Sequence, residues 1–269
     1  MSVERERVVI VTGGARGLGR AMSLGLLRGG FRVVIAHLPT SAAEMRALHT
    51  LATTEGSESR LFSVECDVTQ WEQCRDTVAR TLDRFGALHG LVNNAGIGMQ
   101  GIGNVLVGQR KPFYDVEADA WRRVVDVNVN GSFLMAKAVM PHFMQQRWGR
   151  IVNIETSLFT MMMDGFSPYG PSKAALESAT VIWSKDLAGT GVTVNALAPG
   201  GPADTRMIPE TEVRDRSTLI GPEVMVPAIV WLMSPQSDGV TGRRIIAKEW
   251  NAERLRSEPI ETIGVPAGW

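Results

Sequence analysis

Short aliphatic, β-branched runs alternate with helix-period segments along the whole chain, and this restricts the possible folds more than any other feature. The apolar runs lie at 8–12, 32–36, 60–65, 88–93, 150–155, 192–196 and 243–247. Between them the pattern predicts helices over 17–29, 42–54, 70–85, 118–146, 172–187 and 222–233. Strands buried on both faces read as unbroken apolar runs, and parallel strands need helical crossovers. The expectation is therefore an α/β fold: a doubly wound, Rossmann-like parallel sheet of about seven strands with helices on both faces. No repeat, low-complexity tract or linker divides 1–269, so one domain is expected. Two irregular segments, 97–116 and 199–221, follow the fourth and sixth runs. They are expected to be loops on the substrate side, at the carboxyl ends of the strands.

Composition excludes several classes. Of the 269 residues, 44% are hydrophobic, enough for a continuous core, and 28 basic residues balance 28 acidic ones. That balance offers no electrostatic footprint for nucleic acid or an anionic membrane. Cys66 and Cys74 are too few for a disulfide framework and lack metal-ligand spacing, and His37, His49, His89 and His142 form no spaced metal-binding set. No apolar stretch approaches the ~18 residues of a membrane span, and the N-terminal segment has no pattern of a secretory leader. A soluble, cytoplasmic protein is expected.

The first run ends in Thr12-Gly13-Gly14-Ala15-Arg16-Gly17-Leu18-Gly19, and a helix pattern starts at once. Glycines let a backbone turn tightly beside a pyrophosphate, while a helix N-terminus offers free N–H groups and a favourable dipole. The spacing is not GxGxxG, and many glycine turns are merely tight. Position after the first strand favours cofactor binding by Gly13, Arg16, Gly17, Leu18 and Gly19. The second run ends in Ala36-His37-Leu38-Pro39, without the carboxylate that would hold an adenosine ribose hydroxyl. With His37 there and Arg16 in the turn, NADP(H) is favoured over NAD(H), unless Arg16 faces solvent.

Tyrosine occurs only at 114 and 169, and Tyr169 opens Tyr169-Gly170-Pro171-Ser172-Lys173. In a helix, Lys173 lies one turn beyond Tyr169 on the same face. A phenol of pKa near 10 is a poor base at pH 7, and a neighbouring ammonium lowers it. Such a phenol exchanges a proton with an alkoxide or alcohol.

These motifs, in this order, resemble the short-chain dehydrogenase/reductase family over nearly the whole chain. Thr12-Gly13 with Gly17-Leu18-Gly19 looks like its cofactor turn, and Asp67-Val68 like the pair that holds adenine. Asn93-Asn94-Ala95-Gly96 is similar to NNAG beside the cofactor, and Asn128 to the helix asparagine of the catalytic tetrad. Tyr169 and Lys173 resemble YxxxK, and Pro199-Gly200 with Thr205 the segment gripping the carboxamide. The resemblance implies Tyr169 as general acid/base, Lys173 holding the nicotinamide ribose and tuning Tyr169, and Asn128 sustaining a proton relay. A helix kink is the plainer reading of Asn128. It also implies a homo-oligomer, tetramer or dimer, built partly on the helix after Tyr169.

Three departures matter. The family's substrate-holding serine falls on Thr156, thirteen residues before Tyr169, with Ser157 as the alternative. Thr156 donates the same hydrogen bond but with a stiffer, bulkier side chain. Glu155 is expected to point to the opposite side of the strand, as a structural residue. Pro199–Asp204 is longer than the family turn, with Gly201-Pro202 where an aliphatic residue is usual. The segment 97–116 is also long: it either caps the active-site mouth, with Arg110 or Lys111 meeting an anionic substrate, or is a solvated loop. Met161-Met162-Met163 in the stretch before Tyr169 belongs either to packing or to a partly apolar pocket.

The expected function is hydride transfer between a nicotinamide cofactor and a carbonyl or secondary alcohol on a sizeable, partly apolar small molecule. The alternative enzyme is an NAD-dependent dehydrogenase of a ring diol or hydroxylated aromatic side chain. A non-catalytic cofactor sensor would be expected to lack the Tyr169–Lys173 pair.

Overall fold

A computed structural model of the protein, describing residues 7–103, 110–213, 215–253 and 257–269, grows from β1 (Val8–Thr12). Every β1 residue is buried. Val8 and Ile10 enter one apolar cluster, while Val9 and Val11 enter another on the opposite face. β2 (Arg32–His37) pairs parallel on one flank and β4 (Gly90–Asn93) on the other. Beyond β2 lies β3 (Leu61–Glu65), and beyond β4 come β5 (Gly149–Ile154), β6 (Val192–Ala198) and β7 (Arg243–Ile246). The order is thus β3-β2-β1-β4-β5-β6-β7, with all these pairings parallel. Winding reverses between β1 and β4, and the crevice at their carboxyl ends is where such sheets take a ligand.

Helices α1 (Gly17–Arg28) and α2 (Ala42–Thr54) contribute Met22, Leu26 and Leu48 to the cluster of Val9 and Val11, which also holds Ile229 and Leu232 of α8 (Val226–Leu232). On the other face, α3 (Trp71–Phe85) contributes Val78, and α5 (Gly131–Gln146) contributes Met135, Val139 and Phe143. Helix α4 (Ala118–Val125) leads into α5, α6 (Leu158–Met161) is a single turn, and α7 (Tyr169–Asp186) follows it. Among the described residues no helix is long and apolar enough to cross a membrane.

Among the described residues the sheet has eight strands, one more than expected. β8 (Val265–Pro266) pairs antiparallel with β7 at the edge, where proline does no harm to a ladder. Buried Ile263 anchors the returning tail, and Trp250 packs against Trp231 at 5.2 Å between ring centroids. The single helix expected over 118–146 is interrupted by a π turn, Asp126–Asn130. Asn104 and Gln109 of the expected cap lie outside the described residues, with the rest of 104–109.

Candidate active site

At the end of β1 the chain turns through Gly13 and Gly17, both at positive φ (63° and 53°). A Cβ on Gly19 would lie 2.5 Å from the Gly13 carbonyl oxygen and the Asn94 amide nitrogen. Only glycine permits that approach. Thr12 Oγ1 donates to Val92 O (3.2 Å) and accepts from the backbone N–H of Asn94 (2.9 Å) and Ala95 (3.0 Å). Asn94 Nδ2 donates back to Thr12 O at 2.8 Å, so the segment ending in Gly96 is clamped onto the turn. Leu18 packs against the core beneath. Arg16, the exposed N-cap of α1, gives no side-chain cap. The first-turn N–H groups of α1 therefore remain available to an anion. A glycine cradle with an uncapped helix start fits the pyrophosphate of a dinucleotide.

The adenosine side is built from β2, β3 and α2. His37 is buried, with Nδ1 2.9 Å from Leu38 O. Asp67 Oδ1 accepts from Thr69 N (3.0 Å) and Thr69 Oγ1 (2.8 Å), and Val68 packs beneath Gly131. Two residues here had no sequence signal: Glu44, in the first turn of α2, pairs with Arg206 at 2.7 Å. A backbone hydrogen bond, then Arg206 and Arg16, hold the Glu44 carboxyl below the usual carboxylate range. Thr205 lies over Gly17, whose hypothetical Cβ would be 3.3 Å from the Thr205 methyl. Pro199 O accepts from Lys248 N at 3.1 Å, and Gly200 takes φ 92° against Lys248 and Ile246. Gln100 Nε2 donates to Arg206 O at 3.1 Å, joining the two loops expected on this side.

The reacting groups meet where β5 ends beside α7. The helix starts at Tyr169, so Lys173 stands one turn on, on the same face. Pro171 is tolerated because it falls in the first turn. Lys173 Nζ donates to Ile154 O at 2.6 Å. Burial pushes the Tyr169 phenol up to about 12; a hydrogen bond with Thr156 lowers it, and Glu155 raises it. Burial lowers the Lys173 ammonium, and Glu155 raises it. Lys173, expected to lower the phenol, is not among the groups that shift it; desolvation sets the direction, and Thr156 is the group that lowers it. Ser157 caps α6: its Oγ accepts from Thr160 N at 3.0 Å and pairs with Thr160 Oγ1 at 2.7 Å. Thr156, rather than Ser157, is the hydroxyl brought to Tyr169.

Asn128 is fully buried within the π turn. Its Oδ1 accepts from Ile97 N (2.7 Å), and its Nδ2 donates to Ile97 O (3.1 Å) and Ser172 Oγ (2.9 Å). Ser172 Oγ in turn donates to Tyr169 O at 2.7 Å. One side chain thus joins the post-β4 loop to the start of α7. Glu155 is the residue expected on the opposite side of the strand, as a structural one. β5 stops at Ile154, so strand alternation no longer governs the next side chain, which is buried and interacts with Lys173 and Tyr169.

In the segments expected to line the mouth, Phe113, Tyr114, Phe159 and Met162 are exposed, whereas Met161 is buried. The Arg110 guanidinium lies 4.9 Å from the Phe166 ring centroid and 3.9 Å from Asp164 Oδ1. Arg110 therefore fastens the 97–116 segment to the stretch preceding Tyr169.

The short chain dehydrogenase family model matches residues 7–215. A 2-(S)-hydroxypropyl-CoM dehydrogenase of Xanthobacter autotrophicus is 32% identical over 88% of this chain and 93% of its own. A fluoren-9-ol dehydrogenase of Terrabacter sp. is 31% identical over 91% of this chain and 71% of its own. The crystal structure of a 3-ketoacyl-(acyl-carrier-protein) reductase from Brucella melitensis complexed with NADH superposes with TM-score 0.75 at 26% identity, covering 88% of this chain and 95% of that one. With the match spanning cradle, sheet and reacting pair, the chain belongs to the short-chain dehydrogenase/reductase family and is an NAD(P)-dependent oxidoreductase of CH–OH groups.

Proposed function

We propose that the protein reduces a carbonyl to a secondary alcohol on a sizeable, partly apolar small molecule, using NADP(H) in preference to NAD(H). The observation that carries this reading is Tyr169, a half-buried phenol held protonated beside the Thr156 hydroxyl and one turn from Lys173. The cradle of Gly13, Gly17, Leu18 and Gly19 would hold the pyrophosphate, with Asp67 and Val68 at adenine. Asn94, Ala95, Gly96, Pro199, Gly200 and Thr205 would flank the nicotinamide half, with Tyr169 and Lys173 at its ribose. When bound, the cofactor supplies the hydride. Thr156 holds the substrate oxygen by a hydrogen bond, and Tyr169 gives its phenolic proton to that oxygen as negative charge develops. Lys173 provides positive charge behind the phenol. Asn128 fixes the Ile97 loop and the start of α7, so that Tyr169 stays in place.

NADP(H) is favoured by the absence of a carboxylate at the end of β2, where His37 stands; Arg16, which faces solvent at the rim of the cradle, is the cation that would turn onto a bound 2′-phosphate. Arg16→Ala should raise KM for NADPH about tenfold, a loss of ~1.4 kcal/mol, with little change for NADH. Equal changes for both would remove Arg16 from the discrimination. Exposed Phe113, Tyr114, Phe159 and Met162 favour an apolar substrate face. A second reading is oxidation of a ring diol or hydroxylated aromatic side chain with NAD. It is favoured by the same aromatic rim and by the likeness to a fluoren-9-ol dehydrogenase. Absorbance at 340 nm with NADPH or NADH and a ketone panel, then with NADP or NAD and the matching alcohols, separates the two. Turnover confined to aromatic alcohols with NAD would replace the first reading by the second.

We also propose a cytoplasmic homo-oligomer, tetramer or dimer. The support is the two buried free cysteines and the exposed apolar side chains Phe133 and Met144 on α5 and Ile182 on α7.

A further inference from the structure

Behind the reacting pair lies a cluster of four buried charged side chains: Glu155 (3% exposed), Lys173 (6%), Glu177 (0%) and Arg244 (3%). Two of them neutralise each other. Arg244 NH1 lies 2.6 Å from Glu177 Oε2, and Gly268 N donates to Glu177 Oε1 at 2.9 Å. Arg244 NH2 also donates to Thr156 O. That leaves one cation and one anion. The Lys173 ammonium has the Ile154 carbonyl as its hydrogen-bond partner, while no side-chain donor bonds either carboxylate oxygen of Glu155, which has only the Thr156 backbone N–H beside it. A lone charge in such a place is strongly disfavoured, and the two offset each other only together.

We propose that Glu155 is a positioning residue that acts through Lys173: once ionised, its buried carboxylate keeps the ammonium protonated to higher pH while Tyr169 exchanges its proton. The proposal rests on Tyr169 and Lys173 being the reacting pair. The groups facing Glu155 come from two elements: Tyr169, Lys173 and Glu177 on α7, and Arg244 on β7. Burial, reinforced by Glu177, pushes the Glu155 carboxyl up to about 8, against the pull of Lys173 and Arg244. Burial pushes Lys173 the other way, and Glu155 is the charge that raises it again. As pH rises through about 8, Glu155 loses its proton. Its charge then appears where a desolvated Lys173 would otherwise lose its own. The ammonium form thereby extends to higher pH than burial alone allows.

The chain has five lysines, at 111, 137, 173, 185 and 248, so lysine labelled with carbon-13 at Cε gives a simple NMR titration. It is read without substrate or cofactor. In Glu155→Gln the Lys173 midpoint should fall by about one pH unit or more. The alkaline limb of kcat/KM should fall with it. Glu155→Asp, which keeps the charge, should hold both within about 0.3 unit, on a scale where one unit is tenfold. If Gln prevents folding, Glu155→Ser carries the same expectation. An unmoved Lys173 midpoint, or equal falls in the Gln and Asp variants, overturns the proposal. Failure of turnover with a shifted Lys173 titration would instead count against the reductase reading alone.

Discussion

A phenol in water loses its proton near pH 10, and burial moves Tyr169 up to about 12. The sign of the pH dependence follows. Carbonyl reduction needs the protonated phenol, present throughout the neutral range, so its rate should be nearly flat with pH there. Alcohol oxidation needs the phenol deprotonated, so kcat/KM should climb toward tenfold per pH unit below the apparent pKa. A flat oxidation profile measured at saturating cofactor would remove Tyr169 as the base. Tyr169→Phe should lower kcat by about 10²–10⁴ while cofactor affinity, read by fluorescence, stays within a few-fold. Thr156→Val should cost kcat, whereas Ser157→Ala should cost about 1 kcal/mol of stability through its lost cap. The reverse pattern would exchange their roles. Thr156, Tyr169 and Lys173 were singled out through the family resemblance, since a tyrosine and a lysine four apart are common by themselves. Glu155 was not, since alternation was extended one residue past the end of β5. Glu44 and Arg206, 162 residues apart, meet only through the folded sheet edge.

At the scale of elements, strands were readable wherever both faces are buried. An unbroken apolar run such as Val8–Thr12 has no other comfortable place. The π turn Asp126–Asn130 left no trace in the pattern, because apolar periodicity continues across it and the extra residue is absorbed locally. The β8 strand was equally hidden: two residues, Val265 and Pro266, carry no period at all, and buried Ile263 brings them back to β7. The π turn nonetheless sets the geometry of the site, since it holds Asn128 against both polar groups of Ile97. Asn128→Ala strips partners from Ile97 N–H and C=O, each worth about 1–3 kcal/mol if left buried and unmet. Thermal unfolding should show the loss as a lower Tm, and kcat should fall with it as α7 loosens at its start. A variant with unchanged Tm would mean that water fills the gap, and the clamp would not be structural.

For the whole molecule, the question is what covers the outer faces of α5 and α7. Phe133, Met144 and Ile182 stand 46%, 46% and 53% exposed on these two helices, more apolar surface than a solitary helix pair usually leaves wet. Net charge is zero, so no overall repulsion keeps copies apart. In a two-fold interface each side chain recurs on both partners, and one substitution acts twice. In the proposed contact, Ile182→Glu places two carboxylates where the parent has two apolar side chains. Light scattering after size exclusion should therefore give a smaller assembly for this variant than for the parent, with the fold retained by circular dichroism. Because Tyr169, Lys173 and Ile182 ride on the same helix, the smaller species should also lose kcat as α7 gains freedom at its outer face. An unchanged mass would place the subunit contact elsewhere and leave Ile182 a surface residue.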